Sequence, residues 1–142
     1  MKIISNNKKA HYDYFLSNNL EVGIELIGLE VKGILNSSFN IKESYVKIIN
    51  NEVFLIGSSI SSLEQPKWDK RNLKTRDRKL LLHRSEINKF KKLTQEKSTT
   101  LVCIKCYIND NGLIKLEIAL GKGKKNYDKR ESIKKRDLER TE

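Results

Sequence analysis

The sequence predicts a mostly β domain: a small, closed, OB-like antiparallel barrel with two or three short flanking helices and a basic C-terminal tail that is disordered on its own. Three observations predict it. Apolar residues recur at every second position in several short runs, the signature of half-buried strands. Asn-Asn and Asn-Gly pairs separate such runs, as tight hairpin turns do. No helix alternates with the strands in a βαβ rhythm, so the pairing is antiparallel, and closure into a barrel removes exposed edges.

The elements follow in order. Residues 1–10 are polar and basic, without periodicity, and read as an arm. HYDYFLSNN (11–19) is expected to form a short helical turn anchored by Tyr14, Phe15 and Leu16. LEVGIELI (20–27) alternates, with Leu20, Val22, Ile24 and Leu26 inward and Glu21 outward. Gly28 breaks the strand, and LEVKGILN (29–36) has the spacing of a short helix. SYVKIIN and EVFLIGSSI (44–60) form a hairpin about Asn50-Asn51, because Asn tolerates positive φ. EQPKWDKRNLKTRDRK (64–79) holds the only Pro, the only Trp and seven basic residues, and reads as a long charged surface loop. LLHRSEINKFKKLTQEK (81–97) places Ile87, Phe90 and Leu93 on one face of an amphipathic helix. TTLVCIKCYIND and LIKLEIALG flank Asn111-Gly112 as a second hairpin. In its second strand Ile114, Leu116, Ile118 and Leu120 face inward, and Lys115, Glu117 and Ala119 outward. A one-residue slip would bury Lys115 and Glu117, so the register is firm.

The chain of 142 residues carries 29 basic and 18 acidic side chains, a net charge of +11. Such a domain is expected to bind a polyanion, nucleic acid first and an anionic membrane surface second. The membrane reading needs an apolar anchor beside the basic tail, and the sequence offers none. It has no long apolar run and no secretory signal pattern at its start, so a cytoplasmic location is expected. Cys103 and Cys106 have the spacing of a metal or redox pair, but no second pair or nearby His completes a ligand set. On a regular strand they point to opposite faces and serve as small buried hydrophobes. His11 and His83 have no partner at a recognisable spacing, the carboxylates are scattered, and GKGKK lacks the spacing of a phosphate-binding glycine loop. No enzyme, metal, cofactor or small-molecule substrate is therefore expected.

RNA fits better. Basic residues cluster in the arm, the loop of residues 67–79 and the tail, with Tyr12, Trp68 and Tyr127 among them. Phosphate neutralisation combined with stacking on unpaired bases is how small barrels hold RNA. The organisation expected is an RNA-binding barrel over residues 1–121 and a basic tail over 122–142. The tail has nine basic and five acidic residues and no apolar stripe. A Glu131–Lys135 pair supports a helix that an anionic partner could order.

The stretches NKKAHYDYF (7–15), EVGIELIGLEVK (21–32), NIKESYV (40–46), RKLLLH (78–83) and KGKKNYDKRESIKKRD (122–137) occur in this order. Together they resemble the SsrA-binding protein (small protein B) family of bacterial trans-translation, over nearly the whole chain. The resemblance implies an OB-like barrel that binds the tRNA-like domain of transfer-messenger RNA (tmRNA). It implies delivery, with elongation factor Tu and alanyl-tmRNA, to the A site of a stalled 70S ribosome, and a tail that becomes helical in the empty mRNA channel. A monomeric adaptor is expected. Carried over to this chain, the RNA-facing residues are Asn7 and Lys8 of the arm, Glu21 on the first strand, Leu81 beside the basic loop and Lys115 on the last hairpin. Tyr12, Arg76 and Lys79, placed among the basic clusters, complete the expected tmRNA-facing set. The ribosome-facing set is Gly123, Lys124, Lys125, Asp128, Lys129, Arg130, Lys134, Lys135 and Arg136, with Gly123 as a pivot. The remaining alternative is another small basic RNA-binding or ribosomal protein with an OB-like barrel.

The chain departs from the family pattern in three places. His11-Tyr12 stands where Arg-His is usual, so a ring is kept and a guanidinium is lost. Ser37 and Ser38 occupy a turn where glycine is common. The tail ends at Glu142, sooner than in many members.

Overall fold

The structure is a computed structural model that describes residues 1–36, 38–96, 98–125 and 129–130. Its elements run β1 (Lys2–Asn6), α1 (Lys8–Asp13), β2 (Tyr14–Ile24), α2 (Gly28–Asn36), β3 (Phe39–Asn40), β4 (Tyr45–Ile49), β5 (Glu52–Ile56), β6 (Ser59–Ile60), β7 (Arg78–Leu81), α3 (Arg84–Leu93), β8 (Thr99–Ile108) and β9 (Ile114–Gly123). The large sheet is antiparallel, ordered β1-β8-β4-β5-β7-β2-β9, and β9 also pairs with β8. The hydrogen bonding therefore runs in a ring. The two longest-paired strands make this possible. One edge of β8 is shared between β4, at Leu101, and β1, at residues 105–108, while its other edge follows β9 from Thr99 to Ile108. β3 and β6 form a separate two-stranded sheet.

Local turn chemistry sets the hairpins. Asn50 and Asn51 both have positive φ, at 50° and 64°, and join β4 to β5 by the two-residue turn expected. The β8–β9 loop is longer than the Asn-Gly pair alone. It spans residues 109–113, with Gly112 at φ 78° and the Asn109 side chain accepting from the N–H groups of Asn111 and Leu113.

Three expectations are corrected. The N-terminal residues are not a free arm: Lys2–Asn6 pairs with β8, and helix α1 begins at Lys8. An edge strand with one face in water and a bulge between Ile3 and Ser5 shows no alternation, so only its distant partner reveals it. Tyr14, Phe15 and Leu16 belong to β2, not to a helical turn. Leu81 ends a strand, and α3 starts only at Arg84, where the Glu86 carboxylate accepts from the His83 N–H.

A bulge in β8 has the widest consequences. Cys103 faces Ile118 and Lys105 faces Glu117, so Ile104 is an extra residue. The bulge reverses the side-chain alternation beyond it. Cys103 and Cys106 consequently both enter the main core, rather than opposite faces. Burial raises both thiols well above their ordinary range, which keeps them protonated. The main core fills the ring with Val22, Ile24, Val46, Leu55, Leu80, Leu116 and Ile118. A smaller cluster forms outside it, where Ala10 of α1 covers Val102, Ile104 and Ala119. Ala119 thus points outward as expected but lies under a helix.

Candidate nucleic-acid interface

Four neighbouring strands carry one row of side chains on the outer face of the sheet. Gly23 of β2 is paired with Leu81 of β7 on one side and with Lys115 of β9 on the other, and Lys115 faces Tyr107 of β8. The parallel row one step along is Glu21, Glu117 and Lys105. The fold thus gathers Glu21, Leu81 and Lys115, far apart in the chain, onto one patch. Gly23 leaves its centre low, since a Cβ there would come within 3.4 Å of the Leu81 side chain.

The patch has an acceptor, a cation and an apolar rim. Glu21 is exposed, and the Tyr107 hydroxyl donates to its Oε2. Burial, then the bond to Glu21, pushes the Tyr107 phenol well above its ordinary range, so it remains a donor. Glu21 keeps its second oxygen for an incoming N–H or 2′-hydroxyl. Lys105 lies 3.9 Å from Glu117 and 5.7 Å above the Tyr107 ring, so the Glu117 charge has a cation beside it in the same row. Lys115 is half-buried at the edge of an open groove lined by Leu26, Val31, Leu35, Leu81 and Leu113. Leu35, Leu81 and Leu113 are each more than half exposed, at 53%, 52% and 55%. Such a rim suits the face of a ribose or base, with a phosphate on Lys115.

The sequence missed Tyr107. Counting by twos from Leu101 puts residue 107 inside, and the bulge at Ile104 turns it out. No local signal marks that bulge.

The other expected residues divide. Lys8 is exposed at the start of α1. Asn7 is buried. Its Nδ2 donates to the Cys103 carbonyl at 3.1 Å, its backbone N–H to the Ile104 carbonyl at 2.7 Å, and its Oδ1 accepts from the Ala10 N–H. It caps α1 and satisfies the backbone of the β8 bulge, thereby fixing where Lys8 stands. Tyr12 is half-buried, with the Lys129 ammonium 5.7 Å above its ring. Lys79 sits 3.7 Å from Glu52 on the neighbouring strand.

Arg76 turns toward the interior. Its Nε donates to Glu30 Oε2 at 2.8 Å, and its Nη2 to the other Glu30 oxygen. Arg78 donates from Nε to Glu30 Oε2 at 3.1 Å, and both of those side chains are fully buried. Arg78 also donates to Ser58 Oγ at 2.7 Å and to the carbonyls of Leu73 and Lys74 at 2.6 and 3.2 Å. Burial alone would raise the Glu30 carboxyl; the bonds from Arg76 and the Ile27 N–H, with the two guanidinium charges, bring it below its ordinary value. This triad ties α2 to β7 and to the foot of the basic loop. From sequence alone Arg76 is an expected tmRNA-facing cation and Arg78 a further cation of the charged loop; the fold turns both toward Glu30.

The base of the tail is seated on α1. β9 continues through Lys122 and Gly123, opposite Phe15 and Tyr14. Gly123 donates to the Ser98 carbonyl at 3.1 Å. Lys124 donates from its backbone to Asp13 O at 2.9 Å and from Nζ to His11 O at 3.1 Å, and lies 5.0 Å above the Phe15 ring. Lys129 pairs with Asp13 at 3.6 Å, and Lys125 and Arg130 are exposed. Asp128, Lys134, Lys135 and Arg136, and the helix expected over them, lie outside the described residues. Among the described residues no group of His, Cys, Asp and Glu is placed to hold a metal ion, and no helix is long and apolar enough to cross a membrane.

The family model described as "SmpB protein" matches residues 4–142. The chain belongs to the SmpB family. Among SmpB relatives, the SsrA-binding protein of Bacillus subtilis (strain 168) is 48% identical over 140 residues, covering 98% of this chain and 88% of the relative. That of Ruminiclostridium cellulolyticum is 47% identical over 141 residues, covering 99% and 90%. A solved structure described as "tmRNA-SmpB: a journey to the center of the bacterial ribosome" superposes with a TM-score of 0.67 at 30% identity, over 91% of this chain and 93% of that one. In this SmpB chain the GLEVK stretch supplies Glu30 to the buried triad, and RKLLLH supplies Leu81 to the outer face.

Proposed function

We propose that this chain is the RNA-binding adaptor of trans-translation, not an enzyme, and that it holds the tRNA-like domain of tmRNA on the outer face of β2, β7, β8 and β9. The observation that carries this reading is the gathering of Glu21, Leu81 and Lys115 on one exposed patch of a chain whose relatives are SsrA-binding proteins. Lys115 neutralises a phosphate, Glu21 accepts from a base edge or a 2′-hydroxyl, and Leu81 packs against the nucleotide surface. The ring of strands acts as an OB-like barrel, a rigid mount for that patch. Asn7 works by holding α1, and Lys8 and Tyr12 extend the contact along it. Arg76 supports the basic loop from within.

The chain works in the cytoplasm, as a monomer, with elongation factor Tu and alanyl-tmRNA at the A site of a stalled 70S ribosome. The tail, with Lys124, Lys125, Asp128, Lys129, Arg130, Lys134, Lys135 and Arg136, enters the empty mRNA channel. Pull-down of the tagged protein followed by RNA sequencing tests the reading: tmRNA dominates the recovered RNA. If ribosomal RNA from unstalled ribosomes is stoichiometric and tmRNA is not enriched, the reading is wrong. The division of labour has its own test. Because β9 runs to Gly123 and Lys124 is bound to α1, the clean truncation removes residues 131–142. It leaves tmRNA affinity intact and abolishes tagging of stalled peptides.

A further inference from the structure

We infer that the loop of residues 61–77 is a second RNA-contact site, in which the Trp68 indole stacks on an unpaired nucleotide and Lys67, Lys70 and Lys74 hold the adjoining phosphates. The inference rests on the reading of the chain as an RNA-binding adaptor, and assigns it a contact separate from the Glu21–Lys115 patch. Trp68 is the chain's only tryptophan and is 78% exposed. A bare indole is a large apolar surface that most proteins cover.

The indole is displayed on an ordered loop. Asp69 N–H donates to the Pro66 carbonyl at 3.0 Å, closing a turn with Lys67 and Trp68 at its tip. Gln65 Nε2 donates to the carbonyls of Asp69 and Arg71 at 3.3 and 2.7 Å. The Asp69 carboxylate is almost fully covered and takes bonds from the Arg71 N–H and from its guanidinium at 3.0 and 2.6 Å. The Arg71 bonds hold the Asp69 carboxyl well below the usual range, so this brace is charged at neutral pH. At its foot the loop buries Leu63 and Leu73, and Arg78 grips the Leu73 and Lys74 carbonyls. A platform ordered before its ligand arrives loses little entropy on binding.

Charge selects the ligand. Lys67 and Lys70 lie beside Trp68 in the chain and, like Lys74 of the same loop, are exposed, and the adjoining acid, Asp69, is committed to Arg71. A single indole among lysines is too little apolar area for a membrane anchor. It suffices for one base, because any base has a face to stack.

The sole tryptophan is its own probe. Intrinsic emission is followed while the full chain is titrated with the tRNA-like domain of tmRNA, with purified 70S ribosomes, and with anionic phosphatidylserine vesicles, and tmRNA affinity is measured separately by filter binding. Emission is quenched, and shielded from acrylamide, by whichever of the two RNA partners supplies the nucleotide. Trp68→Ala weakens binding to that partner about five- to 150-fold, and Trp68→Phe retains most of it. The inference is overturned if filter binding saturates and ribosomes bind while emission stays unchanged. It is equally overturned if Trp68→Ala binds both partners as tightly as the native chain, or if only the vesicles alter the emission. Failure of the native chain to bind tmRNA at all would remove the adaptor reading itself, a result that filter binding reports independently of Trp68.

Discussion

Glu21 and Glu30 sit on consecutive elements, β2 and α2, and each meets donors brought from elsewhere in the chain. Glu21 is exposed and takes one bond, from Tyr107. Glu30 is fully buried and takes bonds from Arg76, Arg78 and the Ile27 N–H. The difference lies in unused capacity. A carboxylate with all its lone pairs engaged in a dry interior holds elements together and offers nothing to a ligand. One with a free oxygen on an open sheet face can still accept from RNA. Loss of a partner should therefore cost stability at Glu30 and affinity at Glu21.

The largest effect is expected at the buried triad. Arg78→Met leaves Glu30 with a buried charge only half compensated, and should cost about 3–5 kcal/mol in urea denaturation. Replacing Glu30 and Arg78 together by apolar residues should cost less than Arg78→Met alone, because the charge left behind, Arg76, is about one-third exposed (31%) and can be hydrated, whereas Glu30 is fully buried. A larger loss in the double variant would break the comparison. The same triad sets an acid limit. The folded Glu30 pKa lies below its ordinary value of 4.5, so its stabilisation is present above that pH and is lost as pH falls through the folded value. The urea midpoint of a Glu30→Gln variant should show correspondingly less dependence on pH in that acid range.

Next in size is the open patch. Glu21→Ala combined with Lys115→Ala should weaken binding to the tRNA-like domain by about 1–3 kcal/mol or more. Losing the Lys115 contact should also flatten the salt dependence by roughly 0.7–0.9 in log–log slope. The unfolding free energy from urea denaturation should change by no more than about 0.5 kcal/mol. An unchanged tmRNA affinity would show that the patch is not the RNA face. The smallest effect is expected from Tyr107→Phe, which removes the donor that orients Glu21 and should weaken RNA binding by about 0.5–1.5 kcal/mol. In a Glu21→Ala background it should add nothing, a non-additivity that a purely structural role for Tyr107 would not produce.

Much of the fold was legible. Asn50-Asn51 announced a hairpin because few residues accept positive φ at two consecutive positions. Leu116 and Ile118 against Lys115 and Glu117 announced the orientation of β9. The three residues of the patch were named from motifs, and the outward faces of Glu21 and Lys115 followed from period-two alternation. Other features were hidden. β1 has no pattern of its own. Asn7 reads as a polar arm residue until the carbonyls of a bulge in β8 are placed beside it. Tyr107 changes face because of that same bulge. Trp68 sits in a loop whose bracing by Gln65, Asp69 and Arg71 no periodicity encodes.

By itself the sequence determined the strand runs of β4, β5, β8 and β9, the Asn50-Asn51 turn, the inward face of β9 and the basic character of the chain. These depend on side-chain alternation and backbone sterics over a few neighbouring residues. Tertiary structure alone decided which charges were spent on the fold and which were left for a partner. Arg76 reaches Glu30 across 46 positions of sequence and Tyr107 reaches Glu21 across 86. Whether a charge is buried and satisfied depends on partners that only closure of the ring brings together.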